Sequence, residues 1–175
     1  IPSPPERAQV EATYGGNFFL FVGVLRYYKG LHILLDAMAN APYKVVIVGS
    51  GPTEKELQAQ AVKLGLDNVI FAGYVDDATK VCLFELSRGV VFPSYLRSEA
   101  FGVTLLEGAM YSKPLISTEV GSGTSHVNIS KKTGLVVNPG SAPALRNAMD
   151  TLWNNPDMSA FYGREARSRY EQLFT

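Results

Sequence analysis

The stretch YKVVIVGSGPTEKELQAQAVKLG, residues 43–65, joins an apolar run directly to a helical pattern. Its aliphatic residues are consecutive, which is typical of a strand that is buried on both faces. A turn rich in glycine and proline follows. Thr53 then begins a segment that we expect to be a helix, with Glu56 completing a capping box and Gly65 at the C-cap. A buried strand that passes through a tight turn into a helix is the repeating unit of α/β proteins.

The same alternation continues through the rest of the chain. Further strands are predicted over FFLFVGVL (18–25), NVIFAGYV (68–75), GVVFPS (89–94), KPLIST (113–118) and GLVVNPG (134–140). Further helices are predicted over residues 30–41, 76–87, the segment containing Glu107, 142–155 and 156–174. This order predicts an α/β fold with a parallel sheet covered by helices on both faces, a doubly wound Rossmann-like domain.

The composition fits one globular domain of ordinary charge. The chain has 175 residues, of which 46% are hydrophobic and 18% charged, enough to bury a sizeable core. Sixteen basic and sixteen acidic residues cancel, and this argues against a nucleic-acid partner. The single cysteine, Cys82, lies in an apolar stretch and is interpreted as a buried structural residue. No cluster of Asp, His or Cys has metal-ligand spacing, so no metal site is expected.

The first residues, IPSPPERAQ, contain three prolines within five positions. They are interpreted as part of a linker over residues 1–17 that joins an upstream domain to a folded domain over residues 18–175. No apolar run approaches the 18 or more residues that span a bilayer, and no signal peptide opens the chain. The expected location is therefore the cytoplasm.

Ligands of doubly wound sheets bind outside the carboxyl ends of the strands, near the point where the strand order reverses. The residues directly after each predicted strand are therefore candidates for a site. Glycines, cations and hydroxyls are frequent among them. The main candidates are Gly23, Arg26, Lys29, Gly49, Ser50, Gly51, Tyr74, Val75, Arg97 and Glu99.

The segment RSEAFGVTLLEGA, residues 97–109, contains two acids that its pattern does not explain. If a helix begins near Phe101–Gly102, its free N–H groups face the ligand edge and favour a phosphate. Glu99 precedes that helix, and Glu107 lies inside an apolar run. Carboxylates accept hydrogen bonds, which suits the hydroxyls of a sugar and of a ribose. Alternatively, Glu99 caps the helix and Glu107 pairs with a lysine. The residues alone leave both interpretations open.

The spacing of Glu99 and Glu107 within SEAFGVTLLEGA resembles the signature of retaining GT-B glycosyltransferases of glycosyltransferase family 4. The segments FVGVLRYYKG, VIVGSGP, VIFAGYV, VVFPS, KPLIST and TGLVVNPG match the same family in the same order. The resemblance covers the chain from about Phe18 to Phe174. It implies the C-terminal half of a GT-B fold, with a mannosyltransferase as the first guess.

The resemblance also implies roles for individual residues. Glu99 and the backbone amides of Ala100, Phe101, Gly102 and Val103 hold the donor sugar and the diphosphate. Glu107 holds the ribose, and Lys29 binds phosphate. The usual arginine is Val24 here, and Arg26 replaces it if strand alternation returns that residue to the same face. Gly23, Gly49 and Gly51 contact the nucleotide, and Tyr74 and Val75 flank the base. Glu99, Lys29 and Arg26 form the catalytic set, in which Glu99 orients the sugar. His126 is a further candidate for a sugar contact.

These roles imply a nucleoside-diphosphate sugar as donor, GDP-mannose first and UDP-sugars close behind, with no separate cofactor. The acceptor is expected to be a glycan or lipid-linked molecule of surface polysaccharide assembly, such as lipopolysaccharide. A missing N-terminal domain would bind it at the inner face of the plasma membrane. Two alternatives are an epimerase of the same fold that acts on a UDP-sugar and a non-catalytic nucleotide-binding module.

Overall fold

The computed structural model describes residues 2–95, 103–119 and 127–174. Within these ranges the chain forms a six-stranded parallel sheet with helices on both faces, which confirms the predicted fold class. The strands are β1 (Phe19–Val22), β2 (Val45–Val48), β3 (Val69–Gly73), β4 (Gly89–Phe92), β5 (Leu115–Thr118) and β6 (Gly134–Val137). Each lies within its predicted segment and is shorter than that segment.

Seven α-helices are described, together with a short 3-10 helix at Tyr27–Lys29. They are α1 (Pro4–Tyr14), α2 (Leu31–Ala37), α3 (Glu54–Lys63), α4 (Asp77–Leu86), α5 (Val103–Met110), α6 (Ala142–Asn154) and α7 (Pro156–Phe174). None of these described helices has the length and apolar character required to cross a lipid bilayer.

The strand order β3-β2-β1-β4-β5-β6 places the switch point between β1 and β4. From β1 the chain winds outward to β2 and β3, then returns to the other side of β1 and continues through β4 to β6. The connections after β1 and β4 therefore leave the carboxyl edge of the sheet for helices on opposite faces, α2 and α5. A crevice is expected there in any sheet of this order.

Two apolar layers cover the sheet, and the alternation of side chains along the strands builds both. Phe19 and Phe21 of β1 face the layer formed with α2, α3 and α6, whereas Leu20 faces the layer formed with α4 and α5. All three side chains are buried. The last helix contributes to both layers, with Tyr162 buried in the first and Ala166 buried in the second, against which Tyr170 also packs.

Most of the segment that was interpreted as a linker, residues 1–17, forms a helix. Ser3 caps a helix by accepting a hydrogen bond from the backbone N–H of Glu6, and prolines occupy its first positions. Proline is well tolerated there because the first N–H groups of a helix have no partner within it. This helix, α1, packs on α4 through Val10, which lies in the second apolar layer, and through an ion pair of 2.6 Å between Arg7 and Glu85.

The predicted capping box of α3 is absent. The hydroxyl of Thr53 donates instead to the carbonyl oxygen of Leu25 at 2.7 Å and makes no capping bond. A contact between two loops therefore replaces a local one, and it fastens the start of α3 to the segment after β1. The helix ends at Lys63, followed by Gly65 in the left-handed region.

Candidate functional site

A cleft of about 310 Å³ opens at the carboxyl ends of β1, β2 and β3. The sequence predicted five of its residues, namely Gly23, Gly49, Ser50, Tyr74 and Val75. The structure therefore brings together side chains and backbone from three separate loops that were assigned to one nucleotide site. The full lining is Val22, Gly23, Val24, Val48, Gly49, Ser50, Tyr74, Val75, Asp77 and Lys80.

Close packing between loops explains two of the glycines in this region. Gly49 has a φ of +127°, and a Cβ atom there would overlap the carbonyl oxygen of Gly23. A Cβ atom on Gly51 would lie 2.7 Å from the backbone nitrogen of Leu25. Gly49 still lines the cleft, whereas Gly51 faces the Leu25 backbone and is not among the lining residues. Contact between Gly51 and a ligand remains a prediction.

The outer wall of the cleft is formed by the segment after β3. Gly73 has a φ of +67°, which turns the chain away from the strand. Tyr74 then presents a ring that is 86% exposed, and Val75 is partly buried against the second apolar layer. An exposed aromatic face on the wall of a cleft is suited to stacking with a planar base.

Lys29 lies at the switch point, beside the cleft. Its Nζ atom is 5.2 Å from the ring centroid of Phe92, the last residue of β4, and 5.7 Å from that of Tyr28. Gly30 allows this approach, since it adopts a φ of +74° and packs directly against the carbonyl of Pro93. An ammonium group therefore stands where the loops after β1 and β4 meet, which is the position expected for a phosphate ligand.

Arg26 does not lie where strand alternation was predicted to place it. β1 ends at Val22, and the Arg26 N–H donates to the carbonyl of Val24 at 3.0 Å, so the chain is turning between these residues. Val24 lines the cleft, but Arg26 lines a separate cavity of about 100 Å³ with His32 and other residues of α2 and α3. The premise of alternation is wrong. That Arg26 takes the role of the arginine expected at the position of Val24 remains a prediction, and strand alternation no longer supports it.

The N-terminus of α5 is held at the same edge of the sheet. The hydroxyl of Thr104 donates to the carbonyl oxygen of Val22 at 2.6 Å, which fastens the first turn of α5 to the end of β1. Val103, the first residue of the helix, is 63% exposed. The first turn of the helix, where N–H groups have no partner within the helix, therefore lies near the switch point. Of the residues assigned to this region, Glu99, Ala100, Phe101, Gly102 and His126 lie outside the described ranges.

Glu107 forms an ion pair with Lys80, at 3.2 Å between Oε2 and Nζ. The pairing with a lysine, one of the two interpretations of this residue, is therefore present in the structure. Lys80 itself lines the cleft, so the pair stands at the edge of the proposed site. Burial raises the pKa of the neighbouring Tyr111 hydroxyl, and the negative charge of Glu107 raises it further.

The sequence did not indicate Asp77 and Lys80 as residues of the site. Both lie on the first turns of α4, beyond the residues that directly follow β3. Helical spacing was the signal that could have found them, because positions 77 and 80 lie on one face of a helix that begins at the ligand edge. Within the described ranges, no group of three His, Cys, Asp or Glu side chains has the arrangement of a metal site.

Comparison with known proteins agrees with this geometry. The model of the family described as glycosyl transferases group 1 matches residues 3–169. The chain is 62% identical to D-rhamnosyltransferase WbpZ of Pseudomonas aeruginosa, covering 92% of the chain and 42% of that protein. It is 56% identical to O-antigen chain mannosyltransferase C of Escherichia coli, covering 93% of the chain and 44% of that protein. The chain thus spans less than half the length of either relative.

A solved structure shows the same architecture. Alr3699/HepE of Anabaena, crystallised in complex with UDP, superimposes with a TM-score of 0.86 at 26% sequence identity. The match covers 98% of this chain and 49% of that one. The doubly wound sheet is accordingly that of a GT-B glycosyltransferase half. The chain belongs to the glycosyl transferases group 1 family.

Proposed function

We propose that this chain is the donor-binding domain of a retaining glycosyltransferase of family 4. The enzyme would move a mannose-like sugar from a nucleoside diphosphate to a glycan or lipid-linked acceptor. The observation that carries the proposal is the cleft at the carboxyl ends of β1 to β3, with Lys29 and the α5 N-terminus beside it. One end of this arrangement suits a base and the other suits a diphosphate.

The base and the ribose would occupy the cleft. Tyr74 offers a ring face, and Gly23 and Gly49 leave their backbone open to close approach. Glu107, next to Lys80, provides an acceptor for the ribose hydroxyls. Backbone atoms read a base as well as side chains do, so the choice between guanine and uracil is not evident from residue types.

The diphosphate would lie at the switch point. Breaking the bond between the anomeric carbon and the diphosphate builds negative charge on the leaving group. Lys29 and the N-terminus of α5 supply positive charge and N–H donors that are fixed in place before the reaction. Glu99 would orient the sugar on the other side of the breaking bond, and retention would leave the new bond in the anomeric configuration of the donor.

The names of the two relatives support a donor sugar of manno configuration. D-rhamnose is 6-deoxy-D-mannose, so the sugars in those names differ by one hydroxyl at C6. The O-antigen in one of the names supports a role in surface polysaccharide assembly. The acceptor would then be held by the half that this chain lacks, at the cytoplasmic face of the membrane.

Saturation-transfer NMR tests this proposal on the 175-residue chain. The ligands are GDP, UDP, GDP-mannose, GDP-glucose and UDP-glucose. We expect strong saturation transfer from the protein to the protons of one base and of its ribose. Among the GDP-sugars, the mannose ring should receive more saturation than the glucose ring. Binding of nucleotide without any contact to the sugar would favour a non-catalytic module, and no binding at all would contradict the proposed site.

A further inference from the structure

The ion pair between Lys80 and Glu107 has a position that stability alone does not explain. It joins two helices, α4 and α5, and its lysine on α4 lines the cleft. The side chains are 31% and 26% exposed, so neither charge is deeply buried. Pairs of this exposure contribute little to folding. An ion pair that lies against a cleft is available to a ligand.

The scaffold holds both partners in place. Asp76 caps α4 by accepting a hydrogen bond from the Thr79 N–H at 2.8 Å, one residue before Lys80. Thr104 fastens α5 to the end of β1, three residues before Glu107. Leu83 and Phe84 also pack α4 into the second apolar layer, so both helices are held on the sheet by contacts other than the ion pair.

A cis-diol is chemically complementary to such a pair. Each hydroxyl of a ribose donates one hydrogen bond and accepts others. A carboxylate can only accept, and an ammonium group can only donate. The described part of the chain gives the second carboxylate oxygen, Oε1, no hydrogen-bond donor. The carboxylate therefore keeps acceptor capacity for a diol while the ammonium has donors left for the diol oxygens.

We infer that Lys80 is the second residue of the ribose site, paired with Glu107 before the ligand binds and sharing the diol with it afterwards. This inference rests on the proposed function. It adds a residue that the sequence did not single out, and of the two paired residues it is Lys80 that lines the cleft. Lys80 also restrains the Glu107 side chain, so less conformational entropy is lost when the ligand binds.

Calorimetry on the 175-residue chain tests the inference with the tighter-binding of GDP and UDP and with its 2′-deoxy and monophosphate forms. The variants are Lys80→Met, Lys80→Arg, Glu107→Gln and the double variant Lys80→Met/Glu107→Gln. Lys63→Met is the control, because Lys63 is an exposed lysine on α3. Circular dichroism melting establishes that each variant is folded.

We expect Lys80→Met to weaken binding of the ribonucleotide by about three- to tenfold and binding of the deoxy form by much less. The double variant should lose little more than Glu107→Gln alone, because the two residues act on one diol. Lys80→Arg should retain most of the affinity, and Lys63→Met should have no effect.

Three outcomes would overturn the inference. One is an equal loss for the ribose and deoxyribose forms, and another is a loss that grows with the number of phosphates. The third is full additivity of the two single variants. If the wild-type chain binds no nucleotide, the proposed function fails first, and that result is distinct from any of the three.

Discussion

At the residue scale, two glycines of one turn differ in what surrounds them. Gly49 and Gly51 follow one strand within a GSGP turn, yet only Gly49 lines the cleft. Both are required by contacts with the loop after β1. A glycine-rich turn in the sequence therefore indicates where two loops meet, and whether a ligand lies there depends on which side of the turn remains open.

Gly49→Ala should destabilise the fold and damage the cleft together. The new Cβ would overlap the Gly23 carbonyl at a φ that L-residues rarely adopt, so we expect a loss of about 3 kcal/mol or more in the free energy of unfolding. Gly65→Ala is the control, because Gly65 also has a positive φ but open space around it. That control should cost about 1 kcal/mol. Urea unfolding measures the loss in free energy of unfolding for both variants. Equal losses would show that the contact of residue 49 with the Gly23 carbonyl relaxes without further loss of stability.

Lys29→Ala should weaken binding of a nucleoside diphosphate more than binding of the corresponding monophosphate. A charge-assisted hydrogen bond to phosphate contributes about 1.5–3 kcal/mol, which corresponds to roughly 10- to 100-fold in affinity. Arg26→Ala belongs in the same calorimetric series. If that residue replaces the missing arginine despite its separate cavity, its loss will follow the same pattern as Lys29. Equal losses for mono- and diphosphate would remove Lys29 from the phosphate site.

The sequence predicted much of the site, for a physical reason. Parallel strands bring their carboxyl ends to one edge, so any list of residues after the strands contains the site. Two kinds of residue could not be obtained in this way. Lys80 lies on a helix turn beyond the loop, and the position of Arg26 depends on a turn at Val24 that continued alternation did not anticipate.

At the scale of single elements, helix starts depend on more than local sequence. The segment at Ser3 contains a serine cap and prolines at the first positions, which begin a helix as readily as they form a linker. The packing of α1 on α4 decides between the two conformations, and that packing is a long-range contact. Thr53 shows the reverse case, since its hydroxyl bonds to Leu25 rather than to its own helix.

The cap of α4 provides a prediction that depends on pH. The hydrogen bonds with Thr79 hold the pKa of Asp76 below its ordinary value of 3.8. A carboxyl whose pKa is lower in the folded state stabilises the fold above the unfolded pKa, and the effect disappears as the pH falls through the folded pKa. Asp76→Ala should therefore lower Tm at neutral pH, with a difference from wild type that shrinks at and below about pH 4.

Asp76→Asn separates the cap from its charge. Asparagine caps a helix nearly as well as aspartate but does not ionise, so this variant should keep most of the stability and lose the dependence on pH. Because α4 carries Lys80, Asp76→Ala should also weaken nucleotide binding, and Asp76→Asn should do so much less. Thermal melts from pH 3 to pH 7 check the stability. A constant deficit of Asp76→Ala over that range would contradict the assigned cause.

At the scale of the whole molecule, the sheet is covered on both faces although the chain spans less than half the length of its relatives. Four of the exposed large apolar side chains, Val24, Tyr27, Tyr74 and Val103, lie at or next to the carboxyl edge. Both apolar layers are thus formed by these residues, and the proposed site lies at the carboxyl edge of the sheet. We therefore expect that folding requires fewer residues than catalysis does.

The 175-residue chain should fold alone and bind a nucleoside diphosphate, yet transfer no sugar to an acceptor. Folding is expected because both apolar layers are formed within the chain. Binding is expected because the cleft, Lys29, the α5 N-terminus and Glu107 all lie in it. Transfer is not, because no second half holds an acceptor hydroxyl in line with the anomeric carbon or excludes water from it.

The measurement combines calorimetry with GDP and UDP and a transfer assay, using the isolated chain beside the full-length protein. Trace hydrolysis of the donor is the most that the isolated chain should show, since water would reach the anomeric carbon while Lys29 and α5 of the proposed site would still stabilise the leaving group. Adding the missing half in trans should restore transfer if the two parts associate. Efficient transfer by the 175 residues alone would mean that acceptor binding is encoded in this half. The open carboxyl edge would then bind the acceptor as well as the donor.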